Sequence, residues 1–480
     1  MAKISEIYNL NKSQSELDFI DIDPDMDIPL FLDPFFLSRK QDRWSIEATD
    51  TIKTFFQSVL NATKNKDRNK VKKLFYHLSE PNATCLGLSR GKPSGRGVGV
   101  GDSDKIYANF LKSKAVETGL VKDIEDSVLF VENFGKDKLS DMVTNIIKIH
   151  LLDYTKSQCI FHNIPTISAP STYFWDKENN YWHNKHIERL IAEDKAIILV
   201  PKGIVSFAST YTPEKYYQHF VLNFLQNEHL DMGSSLVEKR KNGTPYVTKK
   251  NLKEQVEYEF SKEFLRKFTQ EHPEVLEDFK NNTEKNSLNS LKNYEIANKN
   301  VYPDKKELIS KLKNIQPGTK YADEFHNTIL GILTLLFYPH LIIPTKEQKI
   351  NQGRKRIDIV FVNSAESGFF KWVSNTLKVQ CPYVFVECKN YSTDISNPEL
   401  DQLVGRFSSK RGEFGFVVCR KTNDIDLLLK RCKDLFNDGK GLILPLTDND
   451  VIFLIENYNE PFNNIDTFLY GRTRDIVSNQ

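Results

Sequence analysis

The chain has 480 residues, enough for two or three domains with cores of their own. Its 39% hydrophobic and 27% charged content excludes wholesale disorder, and a net charge of +2 excludes a uniformly basic coat, so any nucleic-acid contact must be a local patch. Six scattered cysteines fit neither a zinc ribbon nor a disulfide framework. With no apolar leader and no apolar run of membrane-spanning length, the expectation is a soluble cytoplasmic protein without a membrane partner.

Residues 20–37 alternate acids with apolar residues and prolines. Read as a calcium loop from Asp23, they place Asp25 and Asp27 correctly. Ile28 then stands where glycine is needed and Pro34 where glutamate is needed, so solvated acids in a strand and turn are expected instead. Two amphipathic helices follow, marked by Ile52, Phe55, Phe56, Val59 and Leu60, then by Val71, Leu74, Phe75 and Leu78, with Pro81 ending the second. The glycine-rich run from Gly87 to Gly101 carries Arg90, Lys92 and Arg96 and precedes a helix over 104–114. Its spacing matches neither a P-loop nor a dinucleotide fingerprint, which leaves a turned loop with a minor claim on anions.

Val128 to Glu132 reads as a strand, Leu139 to Leu152 as one helix, Tyr173 to Trp182 as a hairpin, and Ala196 to Val200 as a buried strand closed by Pro201. Residues 1–205 are thus expected to form a mixed α+β domain for sensing, regulation or assembly, open to a regulatory ligand or a phage component. Glu214 to Gln270 turns helical, and the polar run 280–293 offers little to bury. Residues 206–300 read as a helical connector with a linker near 280–300.

In the remaining segment, 301–480, Phe325, Ile329, Ile332, Leu333 and Leu336 line a helix from Tyr321 to Tyr338, with Glu324 on its flank. A short strand at 340–343 and the basic residues Arg354, Lys355 and Arg356 lead to a strand carrying Asp358. An aromatic insertion, Phe369 to Trp372, precedes the strand Tyr383 to Lys389. Side chains alternate along a strand, so Glu387 and Lys389 share one face and Cys388 takes the other. A helix over 399–408 presents Gln402 and Arg406 one turn apart. Phe414 to Cys419 is another buried strand, followed by a helix and a strand over 441–446.

This order of a helix, three strands, a helix and a strand resembles the PD-(D/E)XK nuclease superfamily, with Asp358 and Glu387-Cys388-Lys389 at strand positions. Glu324, Gln402 and Arg406 look like its Mrr-like, restriction-endonuclease-like branch. The resemblance covers the last third of the chain. It departs from the pattern where Ile357 replaces a proline before Asp358, and where a long insertion separates Asp358 from Glu387. The implied fold is an α/β multi-domain protein with a C-terminal αβββαβ core.

The resemblance implies a Mg²⁺-dependent DNA endonuclease, with Mn²⁺ able to substitute, used in prokaryotic restriction or antiphage defence. Asp358, Glu387 and Glu324, with the Cys388 carbonyl, would be metal ligands. Metal-bound water has a lowered pKa, and the ion draws charge from the phosphoryl oxygens. Lys389 would orient water or stabilise developing negative charge, and Gln402 would position it. Arg354, Lys355, Arg356 and Arg406 would grip DNA. Cutting two strands calls for two sites, hence a homo-oligomer. The competing readings are an inactive nuclease-fold module that binds nucleic acid or another partner, and a nuclease acting on RNA. On the blandest account Glu387 and Lys389 are an edge-strand ion pair.

Overall fold

The computed structural model describes residues 2–78, 81–87, 108–206, 211–287, 291–296, 304–345, 359–458 and 464–478. Arg90, Lys92 and Arg96, and the quartet Arg354, Lys355, Arg356 and Asp358, lie outside the described residues. Among the described residues no helix is long and apolar enough to cross a membrane. All six cysteines are buried thiols.

The N-terminal part is built on a long helix, α1 (Arg43–Lys64), whose apolar stripe buries Ile52, Phe55, Phe56 and Val59. Helix α2 (Arg68–Phe75) follows, then α3 (Asp126–Phe130), α4 (Lys136–Ile146) and α5 (Lys148–Phe161). The expected strand at 128–132 is therefore a helical turn: a short, fully buried apolar run does not by its pattern distinguish the two. The expected helix over 139–152 is two, meeting at Ile147.

The expected hairpin is present and longer than read. Strand β1 (Ile167–Asp176) pairs antiparallel with β2 (Tyr181–Ala192), which pairs with the short β3 (Lys195–Ile197). Helices α6 (Leu222–Met232), α7 (Lys262–Glu271) and α8 (Pro273–Ser287) complete this part.

One hydrophobic cluster runs from Ile4 through Trp175 to Leu265 and Phe279, so the regions 1–205 and 206–287 share a core. The polar run read as a linker begins as helix α8, and Lys280 within it reaches the fully buried Asp126 at 2.8 Å. Composition alone hides this, because the lysine's partner lies 154 residues away.

A second cluster fills the C-terminal part. Its elements are α9 (Lys305–Asn314), α10 (Ala322–Phe337), β4 (Leu341–Thr345), β5 (Ile359–Asn363), α11 (Gly368–Asn375), β6 (Tyr383–Lys389), α12 (Asn397–Val404), β7 (Phe414–Cys419), α13 (Ile425–Asn437), β8 (Leu442–Thr447), α14 (Asp448–Asn457) and α15 (Ile465–Val477). The aromatic insertion is thus a helix, α11, burying Phe369 and Phe370. Five strands form one sheet in the order β8-β7-β6-β5-β4. The β4–β5 and β5–β6 pairs are antiparallel, whereas β6–β7 and β7–β8 are parallel. Strand β6 is therefore central rather than an edge. The near-continuous apolar runs of β6, β7 and β8 suit strands covered on both faces.

Strand β4 is one of the two sheet edges, and the N-terminal part lies against it. Helix α5 lies against β4, and its Gln158 amide donates to the Pro344 carbonyl at 3.1 Å. The Ile343 N–H donates to the Asp18 carboxylate at 3.1 Å. Ile343 has φ +51°, a left-handed conformation that a β-branched residue adopts rarely, at an irregularity in the β4–β5 register. The Gln158 and Asp18 bonds occupy backbone groups of β4 that a foreign strand would otherwise pair with. Burial pushes the Asp18 carboxyl up to about 6, against the opposing pull of Lys202 and the Tyr154 hydroxyl.

Candidate functional site

Glu387 and Lys389 end the central strand on the face opposite Cys388, whose side chain joins the C-terminal core. Register places Glu387 beside Val417 and Lys389 beside Cys419 of β7. The approach of β7 requires Gly415, because a Cβ there would stand 2.8 Å from the Phe385 carbonyl oxygen.

Glu387 is 2% exposed. One carboxylate oxygen is 2.8 Å from Lys389 Nζ, and the other accepts from the buried guanidinium of Arg406. Lys389 also donates to Gln402 Oε1 at 3.0 Å. Its ammonium is thus held by two acceptors from two elements. Helix α12 places Gln402, and its start is set by a capping box in which Ser396 and Glu399 satisfy each other.

The backbone just beyond Lys389 anchors the surroundings. Asn390 Nδ2 donates to the carbonyls of Gln316 and Gly318 at 3.0 and 2.9 Å, and Gly318 N–H donates back to the Asn390 carbonyl at 2.8 Å. Gly318 has φ +123°, which favours glycine. Arg420 holds the Asn390 side chain from behind at 3.0 Å and donates to Asp448 at 2.8 Å. Burial pushes the Asp448 carboxyl up to about 6, with Arg420 pulling the other way. The result is a small cavity of about 180 Å³ whose wall includes Gly318, Thr319, His326, Glu387, Lys389 and Gln402.

Three of the expected site residues, Glu387, Lys389 and Gln402, therefore converge. Two others are placed differently. Glu324 is exposed and does not line the cavity, whereas Ala322 and His326 on the same helix do. At 100° per residue Glu324 lies roughly 200° around α10 from Ala322. Arg406 was expected on a DNA-facing helical face one turn from Gln402. The helix ends at Val404, with Gly405 as its cap, and Arg406 turns inward to Glu387 with its side chain 3% exposed. Asn390, Gly318 and His326 were not anticipated. Asn390 follows directly in the motif, but nothing local reveals that its partners are 72 and 74 residues away.

The β5–β6 ladder pairs Ile359 with Val386. Asp358 is joined to Ile359 by one peptide bond and lies outside the described residues. Among the described residues no group of three His, Cys, Asp or Glu side chains is gathered as for a metal ion. The cavity contributes one hard-oxygen carboxylate, Glu387. Both of its oxygens face cations, Lys389 and Arg406, so Glu387 would hold a Mg²⁺, which takes one or two carboxylates and keeps several waters, only in exchange for one of them.

A family model described as "Domain of unknown function (DUF8370)" matches residues 9–212, most of the first core and none of this cavity's wall. No curated protein and no solved structure matches the chain.

Proposed function

We propose that the chain is a metal-dependent nuclease that hydrolyses phosphodiester bonds in DNA, in the setting of prokaryotic restriction or antiphage defence. The observation that carries the reading is the Glu387–Lys389 pair at the end of a central strand, opening on a cavity with Gln402 fixing the lysine. The chain order around it, a helix, three strands, a helix and a strand with α11 inserted before the third strand, supports the reading.

In this reading Lys389 meets the phosphate or the attacking water with its ammonium already oriented, so little reorganisation is needed when negative charge develops. Gln402 keeps that orientation. Arg406 balances Glu387 from the buried side and is a positioning residue. Glu387 offers a hard-oxygen ligand, with Asp358 and the Cys388 carbonyl as the further ligands that the resemblance proposes; Glu324, outside the cavity wall, is not among them. Mg²⁺ or Mn²⁺, when bound, supplies a more acidic water and charge relief at the phosphoryl oxygens. DNA contact through Arg354, Lys355 and Arg356, and assembly into a homo-oligomer, belong to the same proposal.

A second reading has one specific observation in its favour: both Glu387 oxygens are engaged by cationic side chains. The trio then serves as an internal ion cluster in a module that binds without cutting. Supercoiled plasmid, linear duplex, single-stranded RNA and structured RNA incubated with Mg²⁺ or Mn²⁺ separate the readings. The nuclease reading expects metal-dependent cutting of DNA, reduced at least about 10²-fold in Glu387→Ala and in Lys389→Met, the scale of losing one preorganised charge-stabilising group. Cutting by both variants at the wild-type rate would sink it. Preferential cutting of RNA would move the substrate class.

A further inference from the structure

The N-terminal core presents a second surface unrelated to the cavity above. Helix α2 and the residues flanking it carry Lys64, Lys66, Arg68, Lys70, Lys72 and Lys73, all exposed, against one acid, Asp67. The Asp67 carboxylate is itself used as the helix cap, accepting from the Lys70 N–H at 2.9 Å. In a chain of net charge +2 this is a concentrated basic strip.

The strip does not stand alone. Strands β1 and β2 lay aromatic rings beside it. His77 stacks on Tyr173 with ring centroids 4.0 Å apart and planes at 20°, and Trp182 lies 5.4 Å from His77. Trp182 is fixed to α2 by donating to the Leu74 carbonyl at 2.8 Å, and its ring packs on Phe55 of α1. Burial, then Lys148, lowers the His77 pKa, so the ring is a neutral stacking partner at neutral pH. Tyr76 and Tyr181, 62% and 48% exposed, stand on the wall of the same groove with their rings left facing water. Lysines 70, 72 and 73, His77, Tyr181 and Trp182 line one groove of about 640 Å³.

We propose that this groove binds single-stranded nucleic acid, with phosphates along the α2 lysines and unstacked bases on Tyr76 and Tyr181. A basic track beside rigidly seated aromatic faces is the chemistry of sequence-tolerant single-strand binding, because every base has a π-face and every nucleotide a phosphate. A duplex hides its bases' faces and meets only the lysines. The proposal stands on the N-terminal core alone and does not require the nuclease reading.

The test is fluorescence anisotropy on the full chain in EDTA, so that binding is read without cleavage. The probes are labelled oligo-dT, oligo-rU and a duplex of equal length, across a salt series. Expected is tighter binding of a single strand than of the duplex, with the oligo-dT and oligo-rU arms telling DNA from RNA. Tyr76→Ala/Tyr181→Ala should weaken single-strand binding by about 5- to 100-fold per stacked base lost, with the salt slope retained. Lys70→Gln/Lys72→Gln/Lys73→Gln should weaken it and flatten the log–log salt slope by about 2, near 0.7 for each phosphate contact removed. All five side chains are exposed, and unchanged melting of both variants verifies the fold. Equal affinity for the duplex, competition by polyglutamate as effective as by oligo-rU, or wild-type binding by both variants would each overturn the proposal. Cleavage-null protein with intact single-strand binding would remove the nuclease reading and leave this one standing.

Discussion

Arg406→Met is expected to destabilise the C-terminal part by about 3–5 kcal/mol, the range for removing one member of a buried ion pair. Glu387 is buried, and its second oxygen then loses a charge-assisted partner that water cannot easily replace. For a unit the size of residues 304–478 the melting midpoint should fall by roughly 6–20 °C. Much of that loss belongs to the stranded carboxylate rather than to the pair. A matched Glu387→Leu/Arg406→Met double variant should therefore recover a large part of it. A midpoint unchanged in Arg406→Met would mean that the guanidinium does not carry the carboxylate's charge. The same comparison bears on function. If the double variant folds well but no longer cuts, the loss of cutting belongs to the chemistry of the Glu387–Arg406 pair and not to a failure to fold.

The C-terminal strands were legible because each is a short β-branched or aromatic run with few competing patterns, as in Val384-Phe385-Val386 and Phe416-Val417-Val418. Helix α10 was legible from a stripe repeated over about three turns. Glu387 and Lys389 on one face followed from the two-residue period of a strand, and Gln402 followed from the next helix.

What was not legible depends on contacts between distant residues. Arg406 looked like a helical-face residue until Gly405 ended the helix and turned it inward, and its partner is 19 residues away. Lys280 looked solvated in a polar run. Asp126 precedes a run, Val128 to Glu132, that read as a strand. Each became intelligible only beside the other. A charged residue in sequence carries no sign of whether its counter-charge is water or a buried acid, and composition favours the first answer by default.

That pair supports the other large expected effect. Asp126 is fully buried and accepts from Lys280 at 2.8 Å, from the Tyr211 hydroxyl at 2.7 Å, and from the N–H groups of Lys122 and Asp123. Lys280→Met removes a cation and leaves a buried carboxylate on neutral donors alone, an expected loss of about 3 kcal/mol or more from the N-terminal core. Its neighbour Glu125 sets the pH dependence. Burial first, then the charges of Asp126 and Asp123, push the Glu125 carboxyl up to about 8 from its ordinary 4.5. The folded chain therefore holds this proton more tightly than the unfolded chain does. Its contribution to stability falls as pH rises from about 4.5 to about 8, with a slope of up to about 1.4 kcal/mol per pH unit. Other groups titrate in the same range, so the informative quantity is the difference between variant and wild type. Glu125→Gln should gain on the wild type steadily up to about pH 8 and hold that gain above it. Lys280 opposes the rise in Glu125. Its removal should push the carboxyl higher still and extend the fall to more alkaline pH. Denaturant midpoints of the three proteins at pH 5, 7 and 9 decide the matter: parallel curves would show that Glu125 does not titrate as its buried position demands.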